Sequence, residues 1–489
     1  MIRKNIILFL SLGLLSFSLV SCDKFLEKTD KDLLIPETVD QYRQILRGDA
    51  YSSDYQTYFN WIHYMDDDIE MQITSLTGNT SSQVETYRGV FQWKKELETE
   101  MGRPDRAFGR AYEYILACNV IINAEDMQGQ EADKNLLLAQ AYTLRAYYYF
   151  TLVNLYAKPY NAGTASTDPG VSIWLDSKPT LERLPRSSVA ETYALINQDI
   201  ETALELFKTA NVPNNNFEIT EEATLLLASR VALFQEDFDR VIDYGTSLMK
   251  KKSQLHDLTS GDITFDEDTY SFISQVSNPE ILFNFGNVRS SYDYLLSISS
   301  TNSGPFFQVS QTVDGNLLST YEAEDQRMLA FFDETVQYFP IKYSRTPSNA
   351  KGEAWRTAEV YLNMAEAYAR KSSPEPSQAL ELYNTLRRNR ILNYVDASEA
   401  DFTSNTELIE AIWAERRREL CFEECHRWWD LRRQGMPELI HTAVFAGGTT
   451  ENYKLEQGDA NYTLEIPRAE RDYNPGIELN NRVEKNPVN

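Results

Sequence analysis

The stretch RRRELCFEECHRWWDLRR, residues 416–433, holds two cysteines, a histidine and two adjacent tryptophans. Thiolates and imidazoles are the ligands of structural zinc sites. Cys421 and Cys425 lie four residues apart and share one face of a helix, but His426 is rotated off that face and no fourth ligand is evident. A haem attachment needs two residues between its cysteines, and three lie here. The spacing therefore predicts no metal site and no cofactor.

The two adjacent tryptophans could in principle form a platform for a sugar ring. Neighbouring residues on a helix point about 100° apart, so Trp428 and Trp429 cannot present one flat surface. Cys421, Cys425 and Trp428 share one face of the expected helix, and Trp429 lies close to another face. We therefore predict that both tryptophans belong to the core.

The acidic run MDDDIEM, residues 65–71, offers clustered carboxylates that could bind calcium. A calcium loop alternates its ligands and contains a glycine at its sharp turn, and both features are missing here. Capping or ion pairing within the fold is the expected role of these side chains.

Sequence signatures of enzymes are absent. The chain has no G-x-S-x-G elbow, no H-E-x-x-H, no C-x-x-C and no phosphate-binding G-x-x-x-x-G-K. Among 73 acidic residues a glycosidase-like carboxylate pair could always be chosen, so such a pair means little. We predict that the protein is not an enzyme. The net charge of −26 also argues against a nucleic-acid partner, whose phosphates would be repelled.

The elements that must position these residues are mainly helical. Between residues 187 and 210, apolar side chains recur every three or four positions, and Ser188 with Glu191 forms a capping box at the start. Successive stripes are separated by short polar turns, as in helix pairs of the tetratricopeptide kind. The sequence predicts an all-α fold. Similar stripes cover residues 106–125, 136–157, 221–235, 237–251, 353–371, 376–390 and 406–433.

The N-terminus has the layout of a secretory signal peptide. Arg3 and Lys4 precede an uncharged apolar run, residues 6–20, which is too short to span a bilayer comfortably. Leu19-Val20-Ser21-Cys22 resembles a bacterial lipobox, in which the cysteine is acylated and becomes the first residue of the mature chain. An ordinary cleaved signal with an incidental cysteine is the alternative. Residues 1–21 are therefore expected to be removed, and Cys22 to anchor the chain to a membrane.

The rest of the chain, residues 22–489, is predicted to form a single domain. Its helical scaffold covers about 104–251 and 353–433. Two regions rich in Ser, Asn, Gly and aromatic residues, about 52–95 and 252–350, interrupt the helical pattern and are expected to form loops that bind ligand. Residues 435–489 are predicted to be an irregular C-terminal tail.

Seven motifs follow one another along the chain. They are the lipobox, RAYYYFTLVNLYAKPY (145–160), LPRSSVAETYALINQDIETAL (184–204), FPIKYSR (339–345), RTAEVYLNMAEAYAR (356–370), the stretch 416–433 and IPRAERDYNPGIELNNRVEKNP (466–487). In order and spacing these motifs resemble the SusD/RagB family. The resemblance implies a SusD-like fold of four tetratricopeptide-like helix pairs with a loop-rich ligand-binding subdomain, in a non-catalytic lipoprotein on the outer membrane at the cell surface.

The same resemblance implies the partners. Family members bind a nutrient glycan and pass it to a SusC-like, TonB-dependent transporter. RagB-type relatives handle peptides, which leaves a peptide-binding lipoprotein of an equivalent uptake system as the alternative. A protein-interaction scaffold built from helical repeats is a third possibility.

Two segments match the regions where family members bind their ligands, residues 79–93 and 287–307. Sugars stack their C–H faces on aromatic rings, and polar side chains beside the rings bond to the hydroxyl groups. In the second segment, Tyr292 and Tyr294 would share a face of an extended strand. The candidate ligand-binding residues are Asn79, Tyr87, Arg88, Trp93, Arg289, Tyr292, Tyr294 and Phe306.

Overall fold

The structure is a computed structural model. It describes residues 36–51, 59–73, 82–213, 215–261, 263, 265, 272–273, 278–286, 305–334, 338–342, 353–445 and 447–488. The predicted signal peptide and Cys22 lie outside these residues.

Helices are the main elements and make up 49% of the structure, as the apolar stripes predict. None of the described helices is both long enough and apolar enough to cross a membrane. The α-helices are α1 (Val39–Ile45), α2 (Ser82–Phe91), α3 (Leu97–Met101), α4 (Ala107–Ile122), α5 (Glu131–Tyr156), α6 (Val189–Phe207), α7 (Glu221–Phe234), α8 (Phe238–Lys251), α9 (Arg327–Phe331), α10 (Thr357–Arg370), α11 (Pro376–Arg388), α12 (Asn405–Leu420), α13 (His426–Arg433) and α14 (Arg468–Tyr473).

Helix α6 begins as its sequence predicts. The Ser188 hydroxyl accepts a hydrogen bond from the Glu191 backbone N–H at 3.1 Å, and the Glu191 carboxylate accepts one from the Ser188 N–H at 2.8 Å. Each bond satisfies an N–H group that the first turn of a helix leaves free. The apolar stripe that follows, including Val189 and Ile196, is buried against α5.

Helix α5 lies at the centre of the helical scaffold. It packs against α4 on one side and α6 on another, and from Leu136 to Tyr156 most of its side chains are buried. Helix α7 packs on α8, and α10 contacts both α8 and α11. A smaller apolar cluster joins α10, α11 and α12 through Ala365, Leu380 and Ile412.

Small sheets accompany the helices, so the prediction of an all-α fold is wrong in this respect. The largest sheet has the strand order β3–β1–β7–β8: β1 pairs antiparallel with β3 and parallel with β7, and β7 pairs antiparallel with β8. The others are the pairs β2–β6 and β4–β5. The strands are β1 (Ile69–Ile73), β2 (Ile281–Phe285), β3 (Pro305–Val309), β4 (Phe332–Asp333), β5 (Phe339–Pro340), β6 (Glu353–Arg356), β7 (Leu439–Phe445) and β8 (Thr450–Leu455).

Three predicted segments differ from the structure for related reasons. Residues 353–356, expected to begin a helix, form β6 because they pair with β2. The tail 435–489, expected to be irregular, contributes β7, β8 and α14. The expected helix 406–433 is two helices, because Phe422 and Glu424 adopt positive φ angles of 59° and 47°. Residues other than glycine rarely adopt a positive φ angle, and a residue in that conformation ends a helix.

Candidate functional site

The four-stranded sheet brings together the described parts of the two predicted ligand-binding segments, residues 82–93 and 305–307. In the antiparallel pairing of β1 with β3, Met71 lies opposite Phe307 and Gln72 lies opposite Phe306. Helix α2, which belongs to the first segment, packs against β3, which ends the second. The described parts of segments that lie more than 190 residues apart in sequence therefore meet at one edge of the sheet.

A row of aromatic rings fills the space between α2 and the sheet. Tyr64 stacks on Tyr87 with ring centroids 4.5 Å apart, and its ring also meets that of Phe307 at 4.5 Å. Such offset ring pairs stabilise a core beyond the area that they bury. We call this row the aromatic column; its members, from one end to the other, are Tyr87, Tyr64, Phe307, Phe91, His441 and Trp93.

Tyr87 lies at the end of the aromatic column that is nearest to solvent. Its side chain is 8% exposed, and its hydroxyl accepts a hydrogen bond from the exposed side chain of Arg103. The Arg103 guanidinium also lies over the ring, 5.1 Å from the centroid, as in a cation–π contact. Sequence reasoning missed Arg103. The signal for it is the Gly102-Arg103-Pro104 interruption between two helical stripes, which predicts a charged turn.

Arg88 is exposed on α2, one residue from Tyr87. Its side chain bonds to Tyr453 on β8, which is also bonded to Gln92 at 2.8 Å and to Glu451 at 2.9 Å. Burial and the Glu451 carboxylate raise the pKa of Tyr453 to about 12, so its hydroxyl stays protonated at neutral pH. Arg88 is thus a solvent-exposed donor held at a fixed position.

Phe306 is 7% exposed on β3, beside a turn held by one buried carboxylate. Glu70 accepts hydrogen bonds from the backbone N–H groups of Gln311 and Thr312 at 3.1 and 3.0 Å, and from the Thr312 hydroxyl at 2.9 Å. Gln308 and Gln72 also donate to Glu70. This carboxylate fixes the chain that leaves β3.

Trp93 is in the core, which removes it from the candidate ligand-binding residues. Its side chain is fully buried, its indole N–H donates to the Met65 carbonyl at 2.9 Å, and its ring stacks on His441 at 3.8 Å. A ring with both its face and its polar edge occupied cannot stack on a sugar. Asn79, Arg289, Tyr292 and Tyr294 lie outside the described residues, and their roles stay predictions.

The acidic run is paired within the fold, as predicted. Asp67 accepts two hydrogen bonds from Arg427, at 2.6 and 2.8 Å, and Asp68 accepts one from Arg417 at 2.7 Å. Although burial opposes it, Arg417 and Arg427 hold the pKa of Asp67 below its usual range. Burial and the neighbouring carboxylates raise the pKa of Asp68 to about 6, against the pull of Arg417.

The cysteines of the stretch 416–433 lie in the interior of the described structure. Cys421 and Cys425 are free and buried, and burial raises the pKa of both thiols. A thiol with a raised pKa stays protonated and is a poor metal ligand. Within the described ranges, no group of three His, Cys, Asp or Glu side chains is placed to hold a metal ion.

Two sequence family models match adjoining parts of the chain. The model described as "SusD family" matches residues 256–482. The model described as "Starch-binding associating with outer membrane" matches residues 24–233. A comparison with curated proteins found no match.

Solved structures of similar fold cover most of the chain. A SusD superfamily protein from Bacteroides fragilis is 21% identical, with a TM-score of 0.69, over 90% of this chain and 99% of that chain. Another, from Bacteroides thetaiotaomicron, is 20% identical, with a TM-score of 0.68, over 91% and 100% of the two chains. A SusD-like carbohydrate binding protein from Bacteroides vulgatus is 20% identical, with a TM-score of 0.64, over 90% and 97%.

Proposed function

Because the chain is a SusD/RagB family protein, we propose that it is a non-catalytic lipoprotein of the outer membrane that captures an oligosaccharide at the cell surface. The family description "Starch-binding associating with outer membrane" supports both the ligand class and the location. We further propose that the bound sugar passes to a SusC-like, TonB-dependent transporter.

The observation that carries the proposal is the meeting of the two predicted segments at the sheet. The pairing of β1 with β3 and the packing of α2 on β3 place Tyr87 and Arg88 close to the strand that follows residues 287–304. Residues of both segments can then contact one ligand. Glu70 and the aromatic column fix the described backbone beside these segments, which lowers the conformational entropy lost in that part on binding.

The chemistry of the segments suits a sugar. Arg88 and Arg103 supply hydrogen-bond donors at the surface, and Tyr292, Tyr294 and Arg289 would add two rings and a further donor. Sugar rings need stacking surfaces with polar groups beside them, and this combination supplies both. Phe306 and Tyr87 are mostly buried, so we assign them a supporting role beside the site.

We assign the rest of the chain to supporting roles. The helices within about 104–251 and 353–433 form the proposed scaffold of tetratricopeptide-like pairs, which we propose as the surface that meets the transporter. An acylated Cys22 would tether this body to the membrane. A tethered receptor needs only modest affinity, because tethering raises the local concentration of its cargo at the transporter.

Calorimetric titration of the chain lacking residues 1–22 tests the ligand class. We expect binding of starch-derived or other oligosaccharides and no binding of peptides. Tyr292→Ala and Tyr294→Ala should each weaken binding by about 1–3 kcal/mol, the range for an important interface aromatic, with little change in melting temperature. Phe217→Ala, which removes an aromatic ring that is 45% exposed, is the matched control.

Two results would contradict this proposal. Binding of peptides without binding of sugars would favour the RagB-like function. Wild-type affinity in both tyrosine variants would place the sugar elsewhere.

The anchor is tested in living cells. Cys22→Ala should abolish acylation, so the protein should accumulate as an unprocessed precursor or appear in the soluble fraction. Cell fractionation with immunodetection, compared with Ser21→Ala as the neighbouring control, measures the distribution. Outer-membrane association of the Cys22→Ala protein at the wild-type level would contradict the anchor.

A further inference from the structure

A groove runs between residues 98–113 and the segment 467–473, which contains α14. It consists of a cleft of about 600 Å³ and a second of about 590 Å³. Pro104 and Ala469 line both clefts, so the two are adjacent. Each has a volume typical of a pocket for a small ligand.

One buried carboxylate fixes the two walls of the groove relative to each other. Glu98 accepts a hydrogen bond from the Asp105 backbone N–H at 2.7 Å on its own wall and from the Arg468 N–H at 2.7 Å on the other. The Glu98 backbone N–H donates to Glu465 at 3.1 Å. The groove is therefore formed before any ligand arrives, which lowers the entropic cost of binding.

The polar groups at the rim of the first cleft are balanced in charge. Arg103, Arg468 and Asp472 are exposed, and an Arg468 guanidinium nitrogen lies 3.2 Å from the Thr99 hydroxyl. Guanidinium groups donate hydrogen bonds and a carboxylate accepts them, so together they match hydroxyl groups, which do both. With Glu98 included, two positive groups face two negative groups, which favours an uncharged polyhydroxyl ligand over an anion.

An exposed ring lies in the second cleft. Tyr473 is 42% exposed. Among the described residues its ring stacks on no other ring and its hydroxyl has no hydrogen-bond partner. An aromatic face of this kind, beside polar groups, is a surface on which the C–H face of a sugar can stack.

Arg103 connects the groove to the aromatic column. The same guanidinium that lines the first cleft donates to the Tyr87 hydroxyl and covers the Tyr87 ring. The groove therefore begins next to the segment 79–93 and leads away from it toward Tyr473.

From this geometry we infer that the groove is a second carbohydrate subsite, in which Tyr473 stacks on a sugar ring and Arg103, Arg468 and Asp472 bond to hydroxyl groups. The groove would hold one end of an uncharged oligosaccharide, and the other end of the same oligosaccharide would lie at the candidate ligand-binding segments. The inference rests on the proposed function, because it extends the same ligand.

Chain length separates the subsite from the primary site. Maltooligosaccharides, from maltose to maltooctaose, would be titrated calorimetrically into the wild type, Tyr473→Ala, Arg468→Met and the control Phe217→Ala. In the Tyr473→Ala and Arg468→Met proteins, the Kd for the longest chains should rise about tenfold, as expected for loss of one good contact. The Kd for the shortest chains that bind should stay at the wild-type value. Phe217→Ala should match the wild type at every length.

Melting temperatures near the wild-type value would show that the exposed substitutions leave the fold intact. Wild-type affinity of Tyr473→Ala and Arg468→Met for every chain would overturn the subsite and leave the proposed function standing. An equal loss for short and long chains would also overturn it, because the groove would then be the primary site. Failure of the wild type to bind any member of the series would contradict both the subsite and a starch-binding function.

Discussion

Trp428 and Trp429 follow one another in sequence and contact different parts of the core. Trp428 stacks on Tyr462 of the C-terminal segment, with centroids 4.9 Å apart. Trp429 meets Phe150 of α5 edge-on at 5.4 Å. The two side chains are 0% and 1% exposed. Two neighbouring residues of α13 thus pack against the C-terminal segment and the central helix of the scaffold. This confirms the prediction that both rings belong to the core.

Trp428→Ala and Trp429→Ala should each lower the free energy of unfolding by about 3–5 kcal/mol, because each leaves a large cavity. Denaturant titration measures the loss. The Phe variants are the matched controls: neither indole N–H has a hydrogen-bond partner among the described residues, so Phe should cost much less. An Ala variant that keeps its melting temperature but loses sugar binding would contradict a purely structural role.

Local sequence predicts the burial of a ring when helix geometry alone decides it. It does not predict burial that depends on a residue far away in the sequence. The 100° turn between neighbours is a property of the chain alone, and it placed Trp428 and Trp429 correctly. Trp93 is buried because His441 stacks on it, and that histidine is more than 300 residues away. Nothing in the residues near Trp93 distinguishes a surface ring from a core ring.

At the scale of elements, the end of α12 depends on cations from other parts of the chain. Lys342 donates to the Glu419 and Cys421 carbonyls at 2.8 and 3.0 Å, and to the Glu423 carboxylate at 2.6 Å. Arg356 also donates to the Glu419 carbonyl, at 3.1 Å. The last carbonyls of a helix have no partner within it, and here two buried side chains satisfy them. The chain can therefore turn at residues 421–425 before α13 begins.

Lys342→Met should destabilise the fold by about 3–5 kcal/mol, because it keeps the side-chain length but leaves Glu423 and two carbonyls partly unpaired in the interior. Lys454→Met is the matched control: Lys454 pairs with the half-exposed Glu438 at 2.7 Å, and such surface pairs contribute about 0–1 kcal/mol. Unfolding in denaturant compares the two. Equal losses of unfolding free energy in the two variants would show that the buried Lys342 contacts stabilise the fold no more than a surface ion pair does.

The same contacts explain which elements the sequence predicts. The apolar stripe of α6 and its capping box lie within the helix itself, so local sequence suffices. The break after α12 is set by Lys342 and Arg356, which are remote in sequence, and the periodic pattern across residues 406–433 gives no sign of it. Strand β6 forms for a comparable reason, since its partner β2 lies about 70 residues earlier.

Across the whole molecule, buried ion pairs join segments that are far apart in sequence. Arg356 bonds to Glu280, Glu419 and Glu423, at distances of 2.7–3.0 Å. Arg390 bonds to Glu280 and Glu419 as well. A buried charge is tolerated only where several partners satisfy it, so these contacts specify one arrangement of the chain more than they add net stability. The family motifs in 356–370 and 416–433 thus meet in one cluster.

Sequence predicted a mostly helical fold, but neither the small sheets nor the groove. Helical periodicity and the order of motifs can be recognised from the sequence alone, because neither depends on contacts between distant residues. The walls of the groove are joined by bonds such as that from the Arg468 backbone N–H to Glu98, and these two residues lie more than 350 positions apart in the sequence. That contact brings together the residues that line the groove, which include Arg103, Asp472 and Tyr473.

Two groups of carboxyls determine how stability depends on pH. Burial raises the pKa of Asp105 to about 6, although the Tyr156 hydroxyl donates to it, and burial likewise raises the pKa of Asp68 to about 6. In the other group burial is outweighed: Arg230 and His426 lower the pKa of Glu424 to about 2, and Arg416 and Arg433 lower that of Asp430 to about 2.

The two groups act in opposite directions, so the melting temperature should be highest between about pH 4 and 5. A raised pKa means that the folded state holds its proton more tightly, so the stability from Asp105 and Asp68 is complete below about pH 4 and is lost as the pH rises through 6. A lowered pKa gives stability that is present above about pH 4 and is lost as the pH falls toward 2. Thermal melts from pH 2 to pH 8, in buffers of constant ionic strength, measure the profile. In Asp105→Asn, which cannot ionise, the decline from pH 5 to pH 7 should be shallower than in the wild type, while the loss below pH 4 should be unchanged. An identical slope in the variant would show that Asp105 does not titrate in this range.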